Sequence, residues 1–160
     1  MQKRTTTLLR LSVIMRVTAM LVVTLVAGSG CTSQLPQVTI ESQYANLSPL
    51  FIGAGSVFLK IKNTGGRDAL VGASVASPNT VVELHDEKDG RMVRVDKIVI
   101  PSRETTDLRP GSHHIMIFNM PRTVQEGSEL TLTLLFERSG EKQVPIRFEK
   151  EQAARSRDGK

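Results

Sequence analysis

Apolar residues in this chain recur at every second position, in runs too short for a buried helix. Leu130, Leu132, Leu134 and Phe136 alternate with Thr131, Thr133 and Leu135. After the turn signal Ser139-Gly140, Val144, Ile146 and Phe148 alternate with Gln143, Pro145 and Arg147. Upstream, Val57, Leu59 and Ile61 alternate with Phe58, Lys60 and Lys62, and Val38 and Ile40 with Thr39 and Glu41. Successive side chains of a strand point to opposite faces, so a period of two gives each segment one face for a core. Further extended segments read as 69–75, 81–85, 92–100, 105–108 and 114–119. Between them stand Asn63-Thr64-Gly65-Gly66, Ser77-Pro78-Asn79, a polar turn at 86–90, Pro110-Gly111 and Pro121. Short alternating strands with such punctuation, and no sustained 3.6 period, imply an all-β sandwich or barrel. Pro145 lacks a ladder donor and sets the last strand partly at an edge. Residues 45–55 are weakly patterned and read as a loop.

The first residues do not belong to that domain. Lys3, Arg4, Arg10 and Arg16 precede an apolar run from Val17 to Ala27, then Gly28-Ser29-Gly30 and Cys31, with no acidic residue before Glu41. A positive segment, an apolar segment and small residues define an export signal. The apolar run is short beside the roughly 20 residues a spanning helix needs, so cleavage ranks above an uncleaved anchor. A cysteine directly after the small residues resembles a bacterial lipoprotein signal, in which that cysteine carries lipid on the mature chain. The alternative is ordinary cleavage near Ser29 or Gly30, leaving a free thiol. The division expected is an export signal at 1–30, a tether at 31–36, a β domain at 37–149 and a charged, disordered tail at 150–160. The protein is then exported to the bacterial periplasm or cell surface, held on a membrane by lipid at Cys31.

The formal charge of the 160-residue chain is +5, and the four basic residues before Cys31 supply most of it. What remains is near neutral, which argues against a nucleic-acid partner, since that needs a basic face on the folded domain. Cys31 is the single cysteine, so no intramolecular disulfide holds the fold and a hydrophobic core must. No Gly-rich phosphate loop, nucleophile elbow or paired-carboxylate site is visible, so an enzyme is the weakest reading. Ser112 beside His113 is no triad, because a regular strand points neighbouring side chains apart. A blue-copper centre needs a Cys thiolate, and Cys31 lies in the export region.

The chemistry concentrates between Glu83 and Met120. This stretch holds all three histidines, His85, His113 and His114, and three of the six methionines, Met92, Met116 and Met120. In His114-Ile115-Met116, an imidazole and a thioether share one strand face while Ile115 and Ile117 face the core. Taken alone, Met116 reads as core filler and His114 as a surface histidine. His85 and Met92 change the weighting. They flank the polar turn, and a hairpin would bring them near each other across its mouth. Two imidazoles and two thioethers suit Cu(I) and discriminate against Zn, Mg and Ca. Thioethers need no deprotonation and form no disulfide in an oxidising compartment. His85, Met92, His114 and Met116 are therefore the candidate copper ligands.

Residues 58–148 resemble the periplasmic copper-chaperone family of PCu(A)C type. Its pattern is His, a variable loop, Met, twenty-one residues, His, any residue, Met. Here 21 residues separate Met92 from His114-Ile115-Met116. Lys62-Asn-Thr-Gly65, Leu70-Val-Gly-Ala-Ser74, Val82-Glu-Leu-His85, Ile100-Pro101, Leu108-Arg-Pro-Gly111 and Leu132-Thr-Leu-Leu-Phe136 are also similar to its phrases. The resemblance implies a cupredoxin-like Greek-key β-barrel or sandwich and an accessible Cu(I) site of two His and two Met. It also implies copper supply to cytochrome c oxidase, through its subunit II or a thiol-bearing copper-assembly protein. The loop from His85 to Met92 has six residues, shorter than is common in the family. His113 stands where Tyr is frequent and could offer an imidazole to Cu(II); its simpler reading is a solvated turn residue. Met120, on the same nominal face as Met116, is a candidate to pack directly behind the ligands. Two other functions fit the same residues: copper sequestration or tolerance, and a lipid-anchored β interaction module with incidental His and Met.

Overall fold

The computed structural model describes residues 34–149. The expected export signal, Cys31 and the 150–160 tail lie outside the described residues. Ten strands follow in chain order: β1 Val38–Leu47, β2 Gly55–Asn63, β3 Asp68–Val75, β4 Val81–Lys88 and β5 Arg91–Arg94, then β6 Ile98–Ile100, β7 Thr105–Leu108, β8 His114–Phe118, β9 Glu129–Phe136 and β10 Gly140–Glu149. No helix occurs among the described residues.

One sheet runs β5-β4-β8-β2-β1, the other β6-β3-β9-β10. They join where β1 and β10 pair in parallel, Ala45 with Phe148 and Asn46 with Glu149. β2 is the spine of the first sheet. It pairs with β1 along its length on one side, and with β8 and then β7 on the other. The alternation read from the sequence is the alternation seen. Val57, Leu59 and Ile61 of β2, Ile115 and Ile117 of β8, Leu132, Leu134 and Phe136 of β9, and Ile146 and Phe148 of β10 fill one core.

The structure corrects three local expectations. Residues 45–47 are strand, not loop. Tyr44 and Ala45 are both buried, one on each face of β1, and a bulge falls between Ile40 and Ser42. Consecutive buried residues and a bulge both erase a two-residue period. Residues 92–100 are two strands in different sheets, broken at 95–97. β4 does not stop at His85 but runs on to Lys88. Its turn to β5 is only Asp89-Gly90, both left-handed at φ 52 and 70, the conformation a two-residue hairpin loop favours. Pro145 pairs with Thr131 of β9, while the β1 contact begins only at Phe148.

The stretch read as the end of the tether is stitched to the fold. Asn63, almost fully buried, accepts from Gln37 N at 3.1 Å and Gly65 N at 3.0 Å. It donates to Gly66 O at 2.7 Å and Pro101 O at 2.9 Å. Its amide is thus fully used. A Cβ on Gly66 would sit 1.8 Å from Gln34 O, so only glycine lets the chain pass.

Asp68 closes the other end of the second sheet. Its carboxylate accepts from Ala69 N at 2.8 Å, Arg138 N at 2.9 Å, Ser139 N at 3.0 Å and Ser139 Oγ at 2.5 Å. Burial pushes this carboxyl up, but the bonds from Ser139, Ala69 and Arg138 outweigh burial and hold it below the ordinary carboxylate value. A depressed folded-state value gives stability that is present above the unfolded value and lost as pH falls through the folded one. Asp68→Ala should cost about 2–3 kcal/mol in urea denaturation at neutral pH. It should also flatten the stability loss between about pH 5 and the depressed value; an unchanged acid slope would contradict this assignment.

Candidate metal centre

The site lies on the outer face of the first sheet, and inner-face packing places it there. In β8, Ile115 and Ile117 enter the core, so His114, Met116 and Phe118 face outward. In β4, Leu84 enters the core, so Glu83 and His85 face outward. The β4–β8 register sets His85 opposite His114, Leu84 opposite Ile115 and Glu83 opposite Met116. The β4–β5 register sets His85 opposite Arg94 and Glu87 opposite Met92. All four candidate ligands therefore share one face. Met92 is a diagonal neighbour of His85, one same-face position nearer the turn, where Cα separations are about 7–8 Å.

This outer face is itself covered. Ser56 and Phe58 of β2 and Tyr44 of β1 lie on it, and Tyr44 and Phe58 form a second small buried cluster at 5.1 Å between ring centroids. Phe58 stands 6.2 Å from the His114 ring and Phe118 6.1 Å from the His85 ring. The 48–54 connection overhangs the groove with Leu50 and Phe51, both exposed. The groove encloses about 510 Å³ and is lined by His85, Met92, Met116 and these aromatic side chains. His114 is only 3% exposed and Met116 7%, whereas Met92 is 62% exposed at the mouth.

Each imidazole has one nitrogen held and one free. His114 Nδ1 lies 2.7 Å from Ser112 O, an obligate acceptor, so Nδ1–H donates and Nε2 keeps its lone pair. His85 Nε2 lies 3.0 Å from Glu83 Oε2, so Nε2–H donates and Nδ1 keeps its lone pair. His114 Nε2 and His85 Nδ1 are buried without a hydrogen-bond partner. The two rings are 5.9 Å apart between centroids. Two imidazoles sharing an ion through bonds of about 2 Å have centroids about 5–6 Å apart. Ser56 Oγ donates to Met116 Sδ at 3.1 Å, which orients the thioether and leaves its second lone pair available. Among the described residues no three His, Cys, Asp or Glu come together as a metal site.

Two other candidates lie elsewhere. His113 Nδ1 is 2.7 Å from Asp86 Oδ1, and both neighbours of the facing histidines point to the opposite side of the β4–β8 pair. Met120 is packed in the core beside Gly55, not in the groove. Asn119, left-handed at φ 57, breaks the alternation that would have kept it on the face of Met116. The sequence reading missed Tyr44, Ser56, Phe58, Glu83 and Ser112. Phe58 was visible in principle, as a large apolar residue in phase with Ser56, Lys60 and Lys62 on the nominally polar face of β2. The carbonyl of Ser112 has no sequence signal.

A family model described as "Putative lipoprotein LpqE-like" matches residues 38–147. A curated relative from Leifsonia xyli subsp. xyli, "Putative lipoprotein Lxx21020", is 29% identical over 89 residues, 52% of this chain and 54% of that protein. The chain thus spans about half that relative's length. Among solved structures, the copper-bound PCuAC domain from PmoF2 superposes with a TM-score of 0.60 at 21% identity, over 72% of this chain and 94% of that one. The solution structure of CuI-DR1885 from Deinococcus radiodurans gives 0.56 at 18% identity, over 78% and 83%. The fold is the expected all-β, cupredoxin-like one.

His114→Leu removes a buried unpartnered acceptor but also the Nδ1–H donor to Ser112 O, opposing effects of about 1–3 kcal/mol each, so the metal-free protein should keep its stability to within about 1 kcal/mol. Urea denaturation reads this directly; a loss of about 3 kcal/mol or more, beyond what the Ser112 bond accounts for, would mean that Nε2 also has a partner in the metal-free fold.

Proposed function

The chain belongs to the LpqE-like lipoprotein family, and we propose that it is an exported, non-enzymatic carrier of Cu(I). One observation carries the reading: His85 Nδ1 and His114 Nε2 are buried, unpartnered and on the same sheet face as two thioethers. A buried acceptor left unmade costs about 1–3 kcal/mol, and a soft cation offsets that cost. His85, His114, Met116 and Met92 are the proposed ligands. The set is neutral, so the bound site keeps the single positive charge of Cu(I). The likeness to a copper-bound PCuAC domain and to CuI-DR1885 supports the same cargo.

Delivery is favoured over sequestration by the exposure of Met92. A ligand at the mouth can be displaced by an incoming thiolate, whereas a storage site gains from enclosing all of its ligands. The acceptor in this reading is a respiratory oxidase copper site, reached directly at subunit II of cytochrome c oxidase or through a thiol-bearing assembly protein. Residues 1–30 serve as the export signal, and the family's lipoprotein description supports lipid attachment at Cys31. Two lipid signals or more are needed for stable anchoring.

Cu(I) titration against a chromogenic chelator, with X-ray absorption on the loaded form, should give one equivalent bound through mixed nitrogen and sulfur. Met92→Leu plus Met116→Leu should remove the sulfur shell and weaken binding at least about tenfold, the low end of what a displaced metal environment costs. Nitrogen-only coordination in the unaltered protein, or no binding, would end the copper reading. Deleting the protein should impair oxidase copper loading; copper sensitivity with intact oxidase would favour sequestration instead. Cys31→Ser should move the protein from the membrane to the soluble fraction, and membrane retention of that variant would rule out a lipid anchor at this residue.

A further inference from the structure

Glu83 is paired with Met116 on the sheet face of the candidate ligands, and each of its oxygens already accepts a hydrogen bond from a neighbouring side chain. Oε2 accepts from His85 Nε2 at 3.0 Å, and Oε1 accepts from Arg94 NH1 at 3.1 Å. Glu83 and His85 are both largely buried, while Arg94 reaches in from the exposed edge strand β5. A carboxylate can only accept, so the ring nitrogen beside it must carry the proton. In a neutral imidazole that leaves the lone pair on the other nitrogen. At His114 the Ser112 carbonyl does the reverse, holding the proton on Nδ1. The two histidines, facing each other across β4 and β8, are thus set in opposite tautomers.

We propose that Glu83, braced by Arg94, is a positioning residue of the metal centre. It fixes His85 so that this ring offers Nδ1 while His114 offers Nε2. The inference rests on the copper reading and deepens it. Two consequences follow from the geometry. Both lone pairs are presented before the metal arrives, so binding needs no tautomer exchange. And each oxygen of the Glu83 carboxylate is directed at a neighbouring side chain, His85 or Arg94, rather than at the ion.

The full-length chain, labelled with 15N-histidine and held in detergent micelles, tests this directly. It has only three histidines to assign, and His113→Gln identifies the third. At about pH 8.5, two units above the ordinary imidazole value of about 6.5, long-range 1H–15N correlation distinguishes the tautomers. The metal-free protein should show His85 protonated at Nε2 and His114 at Nδ1. Silver(I), a soft redox-inert ion with nuclear spin, should then couple to His85 Nδ1 and His114 Nε2. Glu83→Leu should end the exclusive Nε2–H state of His85 and raise the Cu(I) Kd about 10–100-fold, as loss of an outer partner typically does. Glu83→Gln, whose amide oxygen still accepts from Nε2–H, should recover most of that loss. His85 protonated at Nδ1 in the unaltered metal-free protein, or silver coupling at its Nε2, would overturn the proposal whatever the variants do. Unchanged tautomer and affinity in Glu83→Leu would also overturn it. Expected tautomers with neither silver nor copper bound would sink the copper reading itself, and the ligand assignment with it.

Discussion

The register between β4 and β8 is the constraint on which both the core and the metal centre depend. It sets Leu84 opposite Ile115 inside the sandwich and His85 opposite His114 outside it. A slip of one residue would exchange the faces, driving imidazoles into the core and Leu and Ile into the groove. Burying each of the large apolar side chains is worth about 1.5–3 kcal/mol, so the inner face alone makes that slip prohibitive. The tight Asp89-Gly90 turn then fixes β5 against β4, and with it the places of Met92 and Arg94. The outer-face chemistry is positioned by hydrophobic packing one peptide away, on sheet strands and not on a mobile loop, which is how a functional constellation is held to tolerance.

Two of the buried polar side chains, Asn63 and Asp68, are met in full. Asn63 uses both donors and both lone pairs of its amide. Asp68 gathers four hydrogen bonds at the end of β3. At the candidate site, by contrast, two imidazole nitrogens are buried with no hydrogen-bond partner, their rings against Phe58 and Phe118. Two facing imidazoles with buried, unpartnered ring nitrogens are the kind of broken local rule that marks a functional site. The aromatic cover also bears on the kind of ion the proposed site would take. A hard divalent cation would arrive with water and carboxylate demands that an apolar groove and an engaged Glu83 do not meet.

Most of the sandwich was legible because period-two alternation is a direct record of which face is buried. Where both faces are buried, the record fails. Ala45 and Tyr44 are adjacent and both buried, so the end of β1 read as loop. Phe58 broke the polar phase of β2 for the same reason. It covers the groove instead of meeting solvent. The shared face of His114 and Met116 followed from i and i+2 spacing alone. The shared face of His85 and Met92 did not. It depends on the two-residue loop Asp89-Gly90, a pair that favours such a hairpin but reads only as part of a longer polar turn at 86–90. Met120 shows the limit of counting faces: one left-handed residue, Asn119, sends it to the core.

The four candidate ligands are not equivalent, and the asymmetry bears on how an ion would leave. His114 and Met116 sit on β8, flanked by β4 and β2, and both are buried. Displacing either from an ion requires an approach through the aromatic cover or a disturbance of a central strand. His85 is tied by Glu83 to Arg94. Met92 alone stands on the edge strand, mostly exposed, on a flexible unbranched side chain. Exchanging it for an incoming donor uncovers no core and breaks no ladder bond, so it is the ligand with the least structural resistance to displacement. The exposed Leu50 and Phe51 rim the same mouth, so a partner reaching Met92 would meet apolar surface first. On the proposed reading, a site with three donors held by the sheet and one at its edge would keep its cargo bound while leaving one coordination position open to exchange.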